Sequence, residues 1–281
     1  MRKIAMVGAG SMAEALISGM VNNHLLESKQ IWVTNRSNKE RLQELKNTYG
    51  VLTTYHLQEL CQGADAIILA MKPKDALNAL VTIKEFLEED AMVISVLAGV
   101  SISSIELLLE KPMSIVRAMP NTSATIGKSA TALASNDQVT NEQSDRVEKI
   151  FQTVGVTRFV KEEQLDAVTG LSGSGPAYVY YLFEAMEKSA VELGLEKELV
   201  KDLIIQTFLG AAEMLSKTTK SASQLREEVT SPGGTTEAGL KVLSDMHVDQ
   251  AFFNCIKEAA AQSKRLGENI SNEMESKVVK R

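Results

Sequence analysis

Two runs of small residues are placed where backbone, more than side chains, could bind a ligand. Gly8-Ala9-Gly10-Ser11-Met12-Ala13 fits the pattern G-x-G-x-x-A. In that pattern the first glycine permits a tight turn from strand to helix. The second lets backbone approach a pyrophosphate, and the small sixth residue keeps helix and sheet close. Free N–H groups and a partial positive charge at the helix N-terminus then favour the anion. The second run, Ser231-Pro232-Gly233-Gly234-Thr235-Thr236, also leads into a helical segment. A plain helix connection needs one breaker. This one stacks proline, two glycines and hydroxyls, a composition that shapes backbone to receive an anion.

The residues after the second expected strand select the dinucleotide. An NAD site normally carries Asp or Glu there to accept from the ribose hydroxyl, whereas this chain reads Asn35-Arg36-Ser37. Arg36 would pair with a 2′-phosphate, and Asn35 and Ser37 could donate to it. NADPH is therefore expected, with NADH weaker. Further loops fall at the carboxyl ends of later strands, where open α/β sheets bind ligands. Ala70-Met71-Lys72-Pro73 follows the fourth strand, Ala98-Gly99 the fifth and Asn121 the sixth. Together they are expected to line a nicotinamide pocket. Taken singly, Lys72 reads equally as a surface charge and Asn121 as a turn cap. His56, after the third strand, reads either as a contact on the adenosine side or as an exposed structural residue.

These groups need rigid elements to hold them. Apolar runs at Lys3–Val7, Ile31–Thr34, Ala66–Met71, Met92–Leu97 and Ser114–Met119 alternate with amphipathic patterns such as Met12–Asn22 and Lys39–Tyr49. That alternation predicts parallel βαβ units. Two weaker extended runs, Ser129–Ala134 and Val156–Val160, flank a helical pattern at Asn141–Phe151. From about Lys161 the texture becomes helical throughout: Glu163–Leu171, Pro176–Leu193, Lys197–Ser216, Ser223–Val229, Thr236–Ser244 and Val248–Leu266. The expectation is an α/β fold with a dinucleotide-binding domain over 1–160 and an all-helical domain over 161–281. Gly267–Arg281 reads as a frayed helix end.

Composition excludes several classes. A net charge of −6 without a basic stripe argues against binding nucleic acid by phosphate neutralisation. No apolar run approaches the roughly 20 residues needed to span a bilayer, and Glu14 interrupts the one stretch that resembles a secretory segment. Cys61 and Cys255 lie far apart without metal or redox spacing, which suits reduced thiols in a cytoplasmic protein. The three histidines, His24, His56 and His247, form no acid–base or ligand constellation, so no metal is expected.

VGAGSMAEAL, TNRS, AMKP, RAMPNTSATIG, LSGSGPAYVY and above all EEVTSPGGTTEAGL make the chain resemble Δ1-pyrroline-5-carboxylate reductases, the enzymes of the last step of proline synthesis. The resemblance runs essentially end to end. It implies a Rossmann domain, a helical domain that interlocks with a second copy as a homodimer, and rings of dimers in some members. The substrate it implies is a small cyclic imine with one carboxylate. Backbone around Gly233, Gly234 and Thr235, assisted by Ser231, suits that carboxylate, and Thr236 is then placed as the catalytic contact to the ring nitrogen. Two departures stand out: Ser123 where the family pattern has a second proline, and Thr219–Ser223 where His-Pro is common. A β-hydroxyacid dehydrogenase shares the two-domain plan, but it needs a lysine soon after the glycine-rich lead-in to the helical domain. Here none occurs before Lys188. A nucleotide-sensing relative without turnover is the other alternative.

Overall fold

The apolar runs are short and bounded by polar loops, so they form strands of a sheet covered on both sides. The computed structural model describes residues 1–278. Its strands are β1 Ile4–Val7, β2 Ile31–Thr34, β3 Leu52–Thr53, β4 Ala66–Leu69, β5 Met92–Ser95, β6 Ser114–Met119, β7 Ser129–Ser135 and β8 Gly155–Phe159. They lie in the order β3-β2-β1-β4-β5-β6-β7-β8. Every pairing is parallel except β6 with β7. In register, Ile4 faces Ile31 on one side and Ala66 on the other.

Crossover helices α1 Ser11–Asn22, α2 Lys39–Tyr49, α3 Leu57–Cys61, α4 Ala76–Ile83, α5 Ile102–Leu109 and α6 Asn141–Gln152 cover the two faces. Strand alternation divides the core accordingly. Ile4 and Met6 pack with Leu16, Met20 and Phe151, while Ala5 and Val7 pack with Leu60, Leu80 and Ile105. Truncating a fully buried residue such as Ile68 to alanine costs about 2–5 kcal/mol in such a core. The chain winds outward from β1 through β2 to β3, then returns to β4 on the other flank of β1. That reversal opens a crevice above the carboxyl ends of β1 and β4.

Beyond the sheet come α7 Leu165–Val168, a π-helical turn Thr169–Gly173, α8 Gly175–Glu192, α9 Lys197–Lys217, α10 Ala222–Glu228, α11 Thr235–Asp245 and α12 Val248–Val278. The continuous helix expected over Glu163–Leu171 is therefore broken. Gly170 and Gly173 weaken the α-helical preference, and the Ser174 N–H donates five residues back to the Thr169 carbonyl at 2.9 Å.

By contacts the chain forms two compact units: Met1–Pro176 together with the chain from Lys257 on, and Ala177–Ile256. Strands give way to helices near residue 160, but α7 still belongs with the sheet, its Leu165 buried beside Met119 and Ala132. The tail expectation needs correction. α12 continues unbroken through residues read as frayed, and Met274 is 2% exposed within the core that holds Ile105. Gly267 lies inside this helix, where glycine costs about 1 kcal/mol relative to alanine. Residues 279–281 of the expected tail lie outside the described residues.

In the unit Ala177–Ile256, α8 and α11 bury none of their residues, and α9 buries only Val200 and Ile204. Tyr181, Leu193 and Met246 are each at least 73% exposed.

Candidate active site

Gly8 occupies the floor of the crevice. Its φ is +117°, and a Cβ there would lie 2.4 Å from the Ala70 carbonyl carbon and oxygen and 2.6 Å from the Met71 nitrogen. The turn is tied into the sheet by Gly8 N–H to the Thr34 carbonyl, 2.9 Å, and Ala70 N–H to the Val7 carbonyl, 2.8 Å. Gly10 is the N-cap of α1 with no side-chain cap, and a Cβ on it would meet nothing within 4 Å. Unclaimed first-turn N–H groups therefore face open space beside exposed Ser11, as a pyrophosphate requires. Ala9 is buried, Met12 is half-buried, and Ala13 is fully buried against the sheet, in keeping with a small residue at that position.

Sequence reasoning missed Arg41. From α2 its Nε donates to the Ala9 carbonyl at 3.0 Å, while its guanidinium pairs with Glu14 and with Glu44 at 3.1 Å. The hydrogen bond to Glu14, opposed by burial, raises the Arg41 pKa further. Arg41 thus holds the Ala9 carbonyl of the glycine turn, a contact between elements that no local pattern advertises.

At the end of β2, Arg36 is exposed and its Nη1 lies 3.6 Å from Asp75 Oδ1. Asn35 donates to the Asn38 carbonyl at 2.7 Å and accepts from the Tyr55 hydroxyl at 3.0 Å. Ser37 is exposed. Asp75 and Tyr55 belong to this corner although neither was foreseen there. His56 is exposed at the N-cap of α3, and its side chain lines a shallow depression with Trp32, Gln58 and Glu59.

Lys72 is exposed and precedes the 3-10 turn begun by half-buried Pro73. Met71 is half-buried beside them. Ala98 is exposed, whereas Gly99 is buried and packs beneath α12. The Asn121 side chain is engaged at both ends: Oδ1 accepts from Ser123 N–H at 3.1 Å, and Nδ2 donates to the Ser172 carbonyl at 3.0 Å. In this arrangement it caps a turn and joins the loop after β6 to the glycine-rich lead-in of α8.

In the helical unit, Ser231-Pro232-Gly233-Gly234 forms a β-turn closed by Gly234 N–H to the Ser231 carbonyl, 3.0 Å, with Gly233 at φ +73°. Proline second and a positive-φ glycine third are what a type II turn demands. Gly234 is the N-cap of α11 without a side-chain cap, so Thr235 and Thr236 are its first two helical residues. Thr236 is therefore not the helix cap. Both threonines and Ser231 are exposed. One donor is already committed: Gly233 N–H donates to Glu237 Oε2 at 2.7 Å. Glu237, three residues past the N-cap, is a helix-start signal readable in the sequence and was overlooked. A depression of about 650 Å³ runs along the Glu237 and Lys241 side of α11, but none of Ser231–Thr236 lines it.

Among the described residues no three His, Cys, Asp or Glu side chains converge as a metal site. No described helix is long and apolar enough to cross a membrane.

Residues 162–266 match the family of pyrroline-5-carboxylate reductase dimerisation domains, and residues 3–99 match the family of F420-dependent NADP oxidoreductases. Pyrroline-5-carboxylate reductase 2 of Bacillus subtilis is 45% identical over 271 residues, covering 96% of this chain and 97% of that protein. The chain belongs to the pyrroline-5-carboxylate reductase family. The family enzyme from Coxiella burnetii superposes with a TM-score of 0.88 at 38% identity, over 94% of this chain and 98% of that one. The enzyme from Plasmodium falciparum, solved with NADP bound, gives 0.86 at 31% identity with the same coverages.

The two departures from the family pattern have local explanations. Ser123 uses its N–H on Asn121, a bond proline could not make. Within Thr219–Ser223, Ser221 caps α10 by accepting from Gln224 N–H at 3.2 Å, and Gln224 Oε1 accepts from Ser221 N–H at 2.8 Å.

Proposed function

We propose that the chain reduces Δ1-pyrroline-5-carboxylate to L-proline with NADPH, the last step of proline biosynthesis. The observation that carries the reading is that two uncapped helix starts, α1 after Gly10 and α11 after Gly234, each follow a glycine turn. One suits a pyrophosphate and the other a carboxylate. Family membership supplies the substrate.

When bound, NADPH supplies a hydride to the C=N carbon. A protonated imine is already electrophilic: as hydride bonds to carbon, the C=N π pair moves onto nitrogen, which is left as a neutral secondary amine. The chain's own work is then mostly to hold and orient. The first-turn N–H groups of α1 receive the pyrophosphate, and Arg36, with Asn35 and Ser37, receives the 2′-phosphate. His56 lies on the adenosine side. Ala70, Met71, Lys72, Pro73, Ala98, Gly99 and Asn121 frame the nicotinamide end. The Ser231 hydroxyl and the backbone from Gly233 to Thr235 hold the substrate carboxylate, with Glu237 yielding Gly233 N–H to it. The Thr236 hydroxyl accepts from the protonated ring nitrogen and fixes which carbon meets the hydride.

Self-association as at least a homodimer belongs to this reading, supported by the dimerisation-family match over 162–266 and by the exposed apolar faces of α8 and α9. So do a small-molecule partner, no nucleic acid or membrane partner, and a cytoplasmic setting. The test is absorbance at 340 nm with NADPH and the imine. Stoichiometric NADPH oxidation and proline formation are expected, undiminished by a chelator. Failure to turn over any cyclic imine would instead favour a nucleotide-sensing role.

A further inference from the structure

We propose that Gly267 and Ser271 of α12 are positioning residues for hydride transfer, acting through the Ala98–Gly99 turn. The inference rests on the reading of that turn as part of the nicotinamide pocket. Gly99 has φ +74°, and a Cβ on it would lie 3.1 Å from both Cα and N of Gly267. Conversely, a Cβ on Gly267 would lie 3.0 Å from the Gly99 oxygen and 3.4 Å from its Cα. Backbone therefore rests directly on backbone. Glycine is otherwise a poor choice inside a long helix, and this contact explains it.

One turn further along α12, the Ser271 hydroxyl lies 2.9 Å from that of Ser104, which lies 2.7 Å from that of Ser101. Ser101 caps α5 by accepting from Ser104 N–H at 3.0 Å. From elsewhere in the same unit, Glu162 Oε1 accepts Ile102 N–H at 2.8 Å and the buried Arg117 guanidinium at 2.7 Å. The segment between β5 and α5 is thus held from both sides. Ala98, exposed at its tip, has little freedom to move independently of α12. Packed backbone transmits a displacement of a few tenths of an ångström instead of absorbing it. A misplacement of about 1 Å can cost on the order of 100-fold in rate, so a fraction of that shift costs a fraction of that factor.

The decisive variant is Gly267→Ala. The new methyl presses on the Gly99 oxygen, while alanine favours the helix itself, so positioning is disturbed with stability largely kept. With wild-type turnover established in the same assay, kcat is expected to fall on the order of 3- to 30-fold, with melting temperature near wild type. Met274→Ala is the control. It opens a cavity under the same helix about two turns beyond Gly267, without adding an atom against Gly99, and should lower the melting temperature while leaving kcat unchanged. Ser271→Ala should reproduce part of the kcat loss, and Ser271→Thr, which keeps a hydroxyl, should restore it. Wild-type kcat in both Gly267→Ala and Ser271→Ala would overturn the inference. So would a kcat loss in Met274→Ala as large as in the positioning variants, since general loosening would then be the cause. If Gly267→Ala fails to fold, the Ser271 pair decides alone. An inactive wild type would overturn the functional reading, and this inference with it; an active wild type with indifferent variants overturns only the inference.

Discussion

Two glycines two residues apart should fail in opposite ways when replaced by alanine. At Gly8 the methyl would sit 2.4 Å from the Ala70 carbonyl, so β1 and β4 must part by about 1 Å to restore normal contact. Overpacking of that kind costs about 1–3 kcal/mol. Holding a non-glycine residue at φ +117° adds about 1–3 kcal/mol. The sum, about 2–6 kcal/mol, is a large share of a typical stability of about 5–15 kcal/mol. At Gly10 the methyl meets nothing, φ is an ordinary −79°, and alanine at an N-cap costs only about 0.5–1 kcal/mol. In the proposed cofactor site that methyl would occupy the approach of the pyrophosphate. Losing one charge-assisted hydrogen bond, about 1.5–3 kcal/mol, weakens NADPH binding roughly tenfold to a hundredfold. Thermal unfolding followed by circular dichroism and NADPH titration by calorimetry measure both quantities. Gly8→Ala should melt well below wild type, and Gly10→Ala should melt near it yet bind NADPH poorly. Wild-type melting of Gly8→Ala, or undiminished NADPH affinity of Gly10→Ala, would refute the reasoning.

Other expectations are more local. Arg36→Ala should weaken NADPH by about 1.5–3 kcal/mol while leaving NADH nearly unchanged, in parallel titrations; equal weakening of both would assign Arg36 to the fold instead. Thr236→Ala should lower turnover more than it weakens proline binding, and Thr236→Ser should retain much of the rate. Because Gly234 is the cap, the alanine variant should melt within a few tenths of a kcal/mol of wild type, and an unchanged kcat would remove Thr236 from the chemistry. Burial pushes the Cys61 thiol up to about 11, so from an ordinary value near 9 its thiolate fraction at pH 8 drops about a hundredfold. Alkylation of the native protein at pH 8 should spare Cys61 and modify it only in denaturant, and rapid native labelling of Cys61 on peptide mapping would contradict its burial.

Much of the architecture was legible because the signals are local. The G-x-G-x-x-A turn and the Ser-Pro-Gly-Gly turn each dictate their own backbone, and continuous apolar strands announce a sheet covered on both faces. Contacts between distant elements were not legible. Nothing near Arg41 indicates that it holds the Ala9 carbonyl, and nothing near Asp75 that it faces Arg36. The antiparallel entry of β7 beside β6 also depends on partners, not on β7 itself. The tail is a different case. Gly267, Ile270, Ser271 and Met274 recur at helical spacing on one face, so its packing was readable, but charged residues between them masked a stripe containing only two large apolar groups.

The return of α12 to the first unit has a consequence for how the protein is made. The sheet and its helices emerge from the ribosome by Pro176, yet the segment that covers Gly99 and fills the core at Met274 follows only after the helical unit. At about 5–20 residues per second, the intervening hundred or so residues leave that core open for roughly 5–20 s. During that interval the nascent sheet unit exposes the apolar ground that Ile270 and Met274 will later occupy. Synthesis of the sheet unit and completion of its core are thus separated in time, and a chaperone would find its binding window between them.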